Sequence, residues 1–362
     1  MMLFAKRIVL VLAVVLVGFG AVCALAGGGR MTGKEGRARA LEVLDKFAEK
    51  REKVISFIVN TKQEHKFKTK SKLKGPVYNN RGTKYFKCEY RCDATRGKES
   101  FYVWGNVSIY HPDVSEERAH YSSNLWDAEN VYRYSRGDPA SLGSLSLRRG
   151  KDPGGVPKGE AQITRGSNII GEMMGYHWGD DGKRVDKILA QARNLKLRQE
   201  KLRGINCYVI DAVVRGKGKY TVWIDPIHDY HIAKIHVQRK LHDKAAMKRL
   251  KKNDYTNEIY EISRFQQIEN SWFPEEYKVK RTTYHAETGT LSKSERVISF
   301  TSIILNPDHD ALRSFMPDDI PNGAVVKIAA FPPSLRFVWQ DGKLVDKNGR
   351  EVDLDKLKVR KK

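Results

Sequence analysis

The segment from residue 205 to residue 239 reads INCYVIDAVVRGKGKYTVWIDPIHDYHIAKIHVQR, and its alternation of apolar and polar residues predicts three consecutive β-strands. We place the strands at Ile205–Val214, Tyr220–Ile224 and His231–Arg239, separated by a Gly/Lys turn and by the turn DPIHD. Because successive side chains of a strand point to opposite faces, this antiparallel meander has one apolar face and one polar face.

The register of the meander decides which side chains share the apolar face. Pairing Val214 with Tyr220 aligns the first two strands, and pairing Asp225 with Tyr230 aligns the third. Polar residues such as Asp211 then fall together on the other face, as a half-buried sheet requires. The apolar face predicted in this way consists of Tyr208, Ile210, Ala212, Val214, Tyr220, Val222, Ile224, Ala233, Ile235 and Val237.

The N-terminus has the composition of an export signal. Two basic residues, Lys6 and Arg7, precede an uncharged run over residues 8–26, which ends in the small-x-small sequence ALA. We therefore expect residues 1–26 to be a signal peptide, which implies export to the periplasm of a Gram-negative-type envelope. The alternative is an inner-membrane anchor formed by residues 8–26, because a run of this length could span a bilayer.

The composition is strongly basic. There are 66 Lys and Arg residues against 43 Asp and Glu, which gives a formal net charge of +23 at pH 7. Such a charge favours anionic partners, for example lipid headgroups or surface polysaccharide. We expect no nucleic-acid partner, because export would separate the chain from nucleic acid.

A row of lysines follows the first predicted strand, Val54–Gln63. In the stretch KQEHKFKTKSKLKG, ammonium groups recur at every second position and therefore share one face. One interpretation is an edge strand, because edge lysines oppose pairing with another sheet. The other interpretation is a patch that attracts an anionic membrane surface. The residues that would form this patch are Lys66, Lys68, Lys70 and Lys72.

Three cysteines follow the predicted signal: Cys88, Cys92 and Cys207. On one strand the first two would lie roughly 13 Å apart, which is too far for a disulfide. A disulfide would therefore join Cys207 to one of the other two, and the alternative is three small buried thiols. A CxxxC pair with one distant cysteine does not have the spacing of a zinc site.

Helical periodicity begins the folded part of the chain. Leu41 and Leu44 lie on the apolar stripe of a helix predicted over Arg37–Lys53, and a second, short helix is expected at Asp186–Ala192. Strand patterns then continue to Leu305. We predict one domain over residues 37–305 and a C-terminal extension over residues 306–362, with a hairpin around its Asp-Gly turn.

Three features of this pattern together resemble the bacterial outer-membrane lipoprotein-sorting proteins, the LolA/LolB-like family. The chain has an export signal and then opens with a helix and a strand. The sequence YTVWIDP at Tyr220–Pro226 runs into a strand, and WFP at Trp272–Pro274 heads another. The resemblance covers residues 38–305, but the loop over residues 137–182 and the basic insertion over residues 240–254 depart from the compact family pattern.

The resemblance implies an α+β fold in which a curved antiparallel sheet, an open half-barrel, carries helices on its concave face. The hollow between sheet and helices would hold acyl chains. Carried over to this chain, the apolar face of the meander would line the hollow, and Leu41 and Leu44 would form part of its lid. The implied function is an envelope carrier that binds lipids or acylated proteins.

The turn after the second meander strand is the best metal candidate. It brings imidazole and carboxylate groups close together, and such groups can bind zinc. The same residues are also good turn formers, so we predict no metal here. The residues concerned are Asp225, His228, Asp229 and His231.

Two acidic doublets are the candidates for acid/base catalysis. The acidic doublets Asp180-Asp181 and Asp318-Asp319 do not form a dyad by themselves, because adjacent side chains of an extended chain point apart. The sequence contains no GxSxG, HExxH, P-loop or GxGxxG motif. We therefore predict a protein that is not an enzyme and needs no cofactor. The alternatives are an envelope sensor or protein-interaction domain on the same fold, and an envelope hydrolase without a recognisable motif.

Overall fold

The structure is a computed structural model that describes most of the chain after the predicted signal. The described residues are 31–73, 80–93, 95–108, 116–117, 120–127, 129–137, 141–149, 168–176, 182–241, 243–245, 248–328, 331 and 335–353. The predicted signal peptide or anchor and the doublet Asp180-Asp181 lie outside the described residues. Within the described ranges, no helix is long and apolar enough to cross a membrane.

Strands make up most of the described structure. The helices are α1 (Gly33–Glu52), α2 (Asn168–Met173) and α3 (Val185–Leu189). The strands before residue 190 are β1 (Phe57–Lys70), β2 (Arg81–Cys92), β3 (Gly97–Trp104), β4 (Asn106–Ser108), β5 (Glu116–Glu117), β6 (His120–Trp126), β7 (Asn130–Arg136) and β8 (Ser144–Arg149). The later strands are β9 (Leu195–Leu202), β10 (Ile205–Val214), β11 (Gly218–Asp225), β12 (His231–Arg239), β13 (Lys244–Ala245), β14 (Lys248–Arg249), β15 (Tyr255–Ile268), β16 (Ser271–His285), β17 (Thr290–Leu305), β18 (Val325–Ile328), β19 (Phe337–Gln340) and β20 (Lys343–Val345).

Eighteen of these strands belong to one curved, unclosed sheet. The pairings run β9-β10-β11-β12-β15-β16-β17-β1-β2-β3-β6-β7-β8-β18-β19-β20, and β4 and β5 extend from β2. The pairs are antiparallel except β8 with β18, which is parallel. The strands β13 and β14 form a separate ribbon. The predicted mixture of a large antiparallel sheet with few helices is therefore confirmed at this level.

The helices pack against one face of the sheet. In α1 the buried residues Ala40, Val43, Leu44 and Phe47 recur at helical spacing, so one stripe of the helix is apolar. This stripe shares a single buried cluster with apolar residues of α2, α3 and the sheet, including the apolar face of the meander. Leu41, which was predicted to act with Leu44, is only partly buried at the margin of the cluster. We call the side of the sheet that carries the helices the covered face.

The meander is present, but its predicted register is wrong by two residues at the first turn. Val214 pairs with Gly218 and not with Tyr220. Gly218 has φ +110°, and a Cβ at this position would lie 2.3 Å from the carbonyl oxygen of Gln238, so the close approach requires glycine. A shift of two residues leaves every side chain on its predicted face.

The prediction places Ala233 on the wrong face, because the strands pair differently at the second turn of the meander. Asp225 pairs with His231, and the register shifts between Trp223 and Ile224, so that Ile224 pairs with Ile232. This irregularity brings Ile232 to the covered face. Ala233 instead joins a small cluster on the opposite face with Cys207, Val209 and Trp223.

The lysine-rich strand β1 lies in the interior of the sheet. It pairs with β17 along one side and with β2 along the other, so the edge-strand interpretation is wrong. Lys66, Lys68 and Lys70 alternate with more buried residues and are exposed on the face opposite the helices, which we call the outer face. Lys72 lies beyond the end of the strand and is also exposed.

The described part of the C-terminal extension continues the same sheet. Strands β19 and β20 form a hairpin, and β18 joins β8. Their apolar residues form a second core cluster with residues of β7 and β8, such as Tyr134 and Leu145. The buried ammonium of Lys98 reaches Asp318 and Asp319, at 2.8 Å from the latter, so both members of this acidic doublet serve to hold the extension.

Candidate functional site

A half-open pocket of about 350 Å³ lies on the covered face, away from the meander. Its wall is built mainly from strands β1, β2, β3, β16 and β17, and α2 closes one side through Ile169. The lining residues are Gln63, His65, Phe86, Cys88, Tyr90, Glu99, Phe101, Ile169, Arg281, Ser294 and Arg296.

Strand alternation explains how distant residues reach this pocket. Cys88 pairs with Phe101 and Tyr90 pairs with Glu99 across β2 and β3, and directly paired residues of an antiparallel sheet share a face. The same rule brings Phe86 beside Gln63 across β1 and β2. Two aromatic rings, a thiol and Ile169 of α2 therefore form the apolar part of the wall, with Tyr90 and Glu99 at its far end.

The opposite end of the pocket is basic. His65 lies directly between Arg296 on β17 and Lys84 on β2. Burial lowers the pKa of His65 to about 4, and the positive charges of Arg296, Lys84 and Arg281 act in the same direction. The imidazole is therefore neutral at neutral pH and can accept or donate a hydrogen bond there.

Buried carboxylates hold the two pocket arginines. Arg296 contacts Glu172 of α2, whose other oxygen accepts a hydrogen bond of 2.9 Å from the Tyr277 hydroxyl. Burial alone would lower the pKa of Arg296, but the charge of Glu172 outweighs burial and the pKa is raised. Arg281 donates to Glu258 over 2.7 Å. Both guanidinium groups are therefore charged and held in fixed positions.

The apolar end contains one carboxyl group, that of Glu99. Its exposed fraction is 6%, and burial raises its pKa to about 8. Within the part of the chain that the structure describes, its Oε2 atom has no hydrogen-bond partner. A pocket with guanidinium groups at one end and a protonated carboxyl at the other can bind an elongated molecule that has polar groups along an apolar body.

The pocket also contains a thiol. Cys88, Cys92 and Cys207 are all free and buried, so the interpretation as three buried thiols is confirmed and no disulfide joins them. Burial raises the pKa of Cys88 to about 11, which leaves the thiol protonated at neutral pH. Cys88 therefore contributes an apolar surface to the pocket.

Comparisons with known proteins add a likeness in structure. No family model matches this chain, and no curated protein matches it in sequence. The chain is similar in structure to a domain from Vibrio parahaemolyticus described as an outer membrane lipoprotein-sorting protein domain. The identity is 13%, the TM-score is 0.36, and the match covers 77% of this chain and 98% of that domain. A likeness of this strength carries no argument about function.

Most of the residues predicted to line a cavity lie in the core, whereas Leu41 and Tyr208 are only partly buried and Ala233 lies on the opposite face. Among them, Ile210, Tyr220 and Val222 have no exposed surface, because they belong to the buried cluster that the sheet shares with the helices. None of the predicted cavity residues lines the pocket described above. The pocket lies farther along the same covered face, over β1, β2, β3, β16 and β17.

The candidate metal residues diverge in the structure. His228 Nδ1 lies 2.6 Å from Asp225 Oδ2, whereas Asp229 accepts a hydrogen bond of 2.8 Å from the amide of Trp272. His231 points into the core, where its Nε2 lies 2.9 Å from Arg51 Nη1. Across the described ranges, no group of three or more potential ligands could hold a metal ion.

The buried guanidinium of Arg51 was missed in the sequence. Arg51 follows Phe47 by four residues and so continues the apolar stripe of α1. Burial lowers its pKa to about 10, and the ring of Phe273 lies 5.9 Å away. An arginine at an apolar position of a helical stripe is the signal that could have identified it.

Proposed function

We propose that this chain binds a lipid or the acyl chain of an acylated protein in the pocket on the covered face. It would act as a carrier in a bacterial envelope and not as an enzyme. The observation that supports the proposal is a half-open pocket with apolar side chains along one wall and two fixed guanidinium groups at one end. We further propose that the covered face is the concave side of the sheet.

The size of the pocket suits part of a chain molecule. Its volume of about 350 Å³ falls within the range of small-molecule sites, which is roughly 300–1,000 Å³. Burial of each methylene contributes about 0.8 kcal/mol, so ten methylenes would contribute about 8 kcal/mol before the cost of association. A single acyl chain could therefore bind measurably with the pocket described here.

The basic end suits an anionic headgroup. Arg296 has donors beyond the one that contacts Glu172, because a guanidinium carries five N–H groups, and Arg281 lines the same pocket. Their fixed positions would orient a phosphate or carboxylate at the mouth of the pocket. The apolar chain would then lie along Phe86 and toward β3.

A pair of tryptophan variants tests the site. Cys88→Trp fills the apolar part of the pocket, and Ser294→Trp fills its polar end, so both should abolish binding of a fluorescent acyl probe. Lys87→Trp adds the same side chain to the opposite face of β2 and should leave binding unchanged. Circular dichroism confirms that each variant is folded. Equal binding by all three folded variants and the wild type would refute the site.

The retained ligand identifies the carrier class. Protein purified from its native envelope under mild conditions should release lipids or acylated peptides that mass spectrometry detects. The Cys88→Trp variant is the matched control, because it should release less of the same species. If the wild-type protein binds no acyl probe but does bind a protein partner, the sensor or interaction alternative would replace the carrier proposal.

The outer face of β1 is the second part of the proposal, as a surface for anionic membranes. Lys68 lies directly between Arg81 on β2 and Lys293 on β17, and like charges in such a row repel each other. Beside this row, the exposed ring of Tyr85 stacks on Trp104 at 5.9 Å. Basic and amphipathic aromatic groups together suit a headgroup layer.

Vesicle binding tests this surface with a charge-matched control. Replacing Lys66, Lys68, Lys70 and Lys72 by glutamine should weaken binding to acidic vesicles at low salt. The wild type should also lose binding as salt rises, because exposed charges are screened over about 10 Å at 0.1 M. Replacing four other exposed basic residues removes the same charge and should have little effect; these are Lys196, Lys201, Arg215 and Lys219. Equal losses of vesicle binding from both sets of substitutions would mean that binding depends on net charge and not on this surface.

A further inference from the structure

Glu99 is placed in the pocket by the alternation of β3. Its neighbour in sequence, Lys98, points to the outer face and is held there by Asp318 and Asp319. Glu99 therefore points to the covered face, beside Tyr90 on β2 and opposite Asn124 on β6. Lys98 is thus committed to another contact, and no ion pair of the described residues involves the carboxyl of Glu99.

An isolated carboxyl at this position is stable only in its neutral form. Transfer of an ionised carboxylate to an apolar site is costly without a charge partner, so the group keeps its proton. A neutral carboxyl carries one O–H donor, and a buried donor needs an acceptor. Since Oε2 has no partner in the described structure, the group suits an acceptor supplied by the ligand.

We infer that Glu99 is a ligand-binding residue that donates a hydrogen bond to the carbonyl oxygen of an ester-linked or amide-linked acyl group. This inference rests on the proposed function and adds the chemical class of the ligand. Acyl esters and amides present a neutral acceptor within an apolar chain. The walls beside Glu99 offer that chain the rings of Phe86 and Phe101.

The other charged groups of the pocket argue against a cationic ligand. Arg281 of β16 and Arg296 of β17 face the same space, and β1 contributes a neutral His65. The groups from β2 are the thiol of Cys88 and the hydroxyl of Tyr90. The described residue of α2 that lines the pocket is Ile169, so a bound ammonium would meet two guanidinium groups and one uncharged carboxyl.

Three ligands with chains of similar length distinguish a hydrogen bond to a neutral carbonyl from cation binding and from apolar contact alone. N-methyldecanamide carries a neutral carbonyl, decylamine carries a cation, and undecane carries neither. Their binding to the full chain is measured by displacement of a fluorescent acyl probe at pH 6 and at pH 9.5. The variants are Glu99→Gln, which keeps a donor but cannot ionise, and Glu99→Leu, which has no donor.

The expected result is a pattern that only a donating carboxyl produces. At pH 6 the amide binds wild type and Glu99→Gln within about threefold of each other, and Glu99→Leu about tenfold more weakly. At pH 9.5 the wild type loses about tenfold in affinity for the amide, whereas Glu99→Gln does not change. Undecane binds all three proteins with the same affinity at both pH values.

Three other outcomes would overturn the inference. A preference of the wild type for decylamine that Glu99→Gln abolishes would mean that Glu99 binds cations. Equal affinity for the amide in all three proteins would mean that Glu99 does not contact the ligand, although the pocket would still bind chains. If no ligand displaces the probe from the wild type, the proposed function fails and this inference fails with it.

Discussion

The raised pKa of Glu99 leads to a prediction about the stability of the folded chain, and this prediction can be tested without a ligand. Its pKa is raised by burial from the ordinary value of 4.5 to about 8 in the folded chain. Between these two values the folded chain keeps a proton that the unfolded chain has lost. The stabilising contribution is therefore fully present below pH 4.5, falls as pH rises, and is lost above about pH 8.

The size of the effect follows from the shift. Each unit of pKa difference corresponds to about 1.4 kcal/mol, so the full change is about 5 kcal/mol. This is comparable with the whole free energy of unfolding of a typical domain, which is roughly 5–15 kcal/mol. Glu99→Gln removes the titrating group and keeps nearly the same shape. The variant should therefore gain about 5 kcal/mol relative to the wild type between pH 4.5 and pH 9.

Urea unfolding at a series of pH values measures this difference. The free energies of unfolding of wild type and Glu99→Gln are compared at pH 4.5, 6, 7.5 and 9. Glu64→Gln is the matched control, because Glu64 lies on the outer face of β1 with its carboxylate 3.2 Å from the ammonium of Lys66. A difference between wild type and Glu99→Gln that changes by less than about 1 kcal/mol over this range would refute a buried neutral carboxyl.

Three further predictions concern the core and the C-terminal extension. Phe47→Ala should lower the free energy of unfolding by about 3–5 kcal/mol in urea titrations, because the ring is fully buried. Val222→Arg should abolish the folded state, seen as loss of near-ultraviolet circular dichroism, because it buries an unpaired charge in the core. The pKa of Asp319 is lowered because the Lys98 ammonium outweighs burial, so protection of β18–β20 from hydrogen exchange should fall as pH drops below about 4; unchanged protection in Lys98→Met would contradict this account.

The meander shows what local sequence can predict. Its three strands follow from alternation over 35 residues, and side-chain alternation alone assigns nearly every residue to its face. The turn was harder to predict, because the position of Gly218 depends on the close approach of Gln238 on β12. Ala233 was misplaced for a similar reason, since a local irregularity at Trp223 changes the pairing beyond it.

The lysine row shows where local pattern stops being informative. Alternation correctly predicted that Lys66, Lys68 and Lys70 share an exposed face. It could not predict whether β1 lies at an edge, because one of its two neighbours, β17, begins at Thr290. Which strands pair across such a distance depends on the whole chain and not on the composition of one strand.

The pocket could not be predicted for the same reason. Its residues come from five strands and a short helix, and each strand contributes one to three positions that look ordinary alone. Glu99 stands between Lys98 and Ser100 in a polar stretch, where a solvent-exposed glutamate is the normal expectation. The burial of Glu99 arises from the partners of β3, which the sequence around it does not encode.

The described helices cover the meander and the pocket to different degrees. Helix α1 has 20 residues, and with α3 it packs on the meander, whose apolar face is therefore filled. Helix α2 has six described residues, and it packs near β16 and β17 through the contact of Glu172 with Arg296. Among the described residues of α2, Ile169 lines the pocket, and Phe86 on β2 and Phe101 on β3 are only partly buried on the covered face. A ligand in the pocket would cover these side chains, as the helices cover the apolar face of the meander.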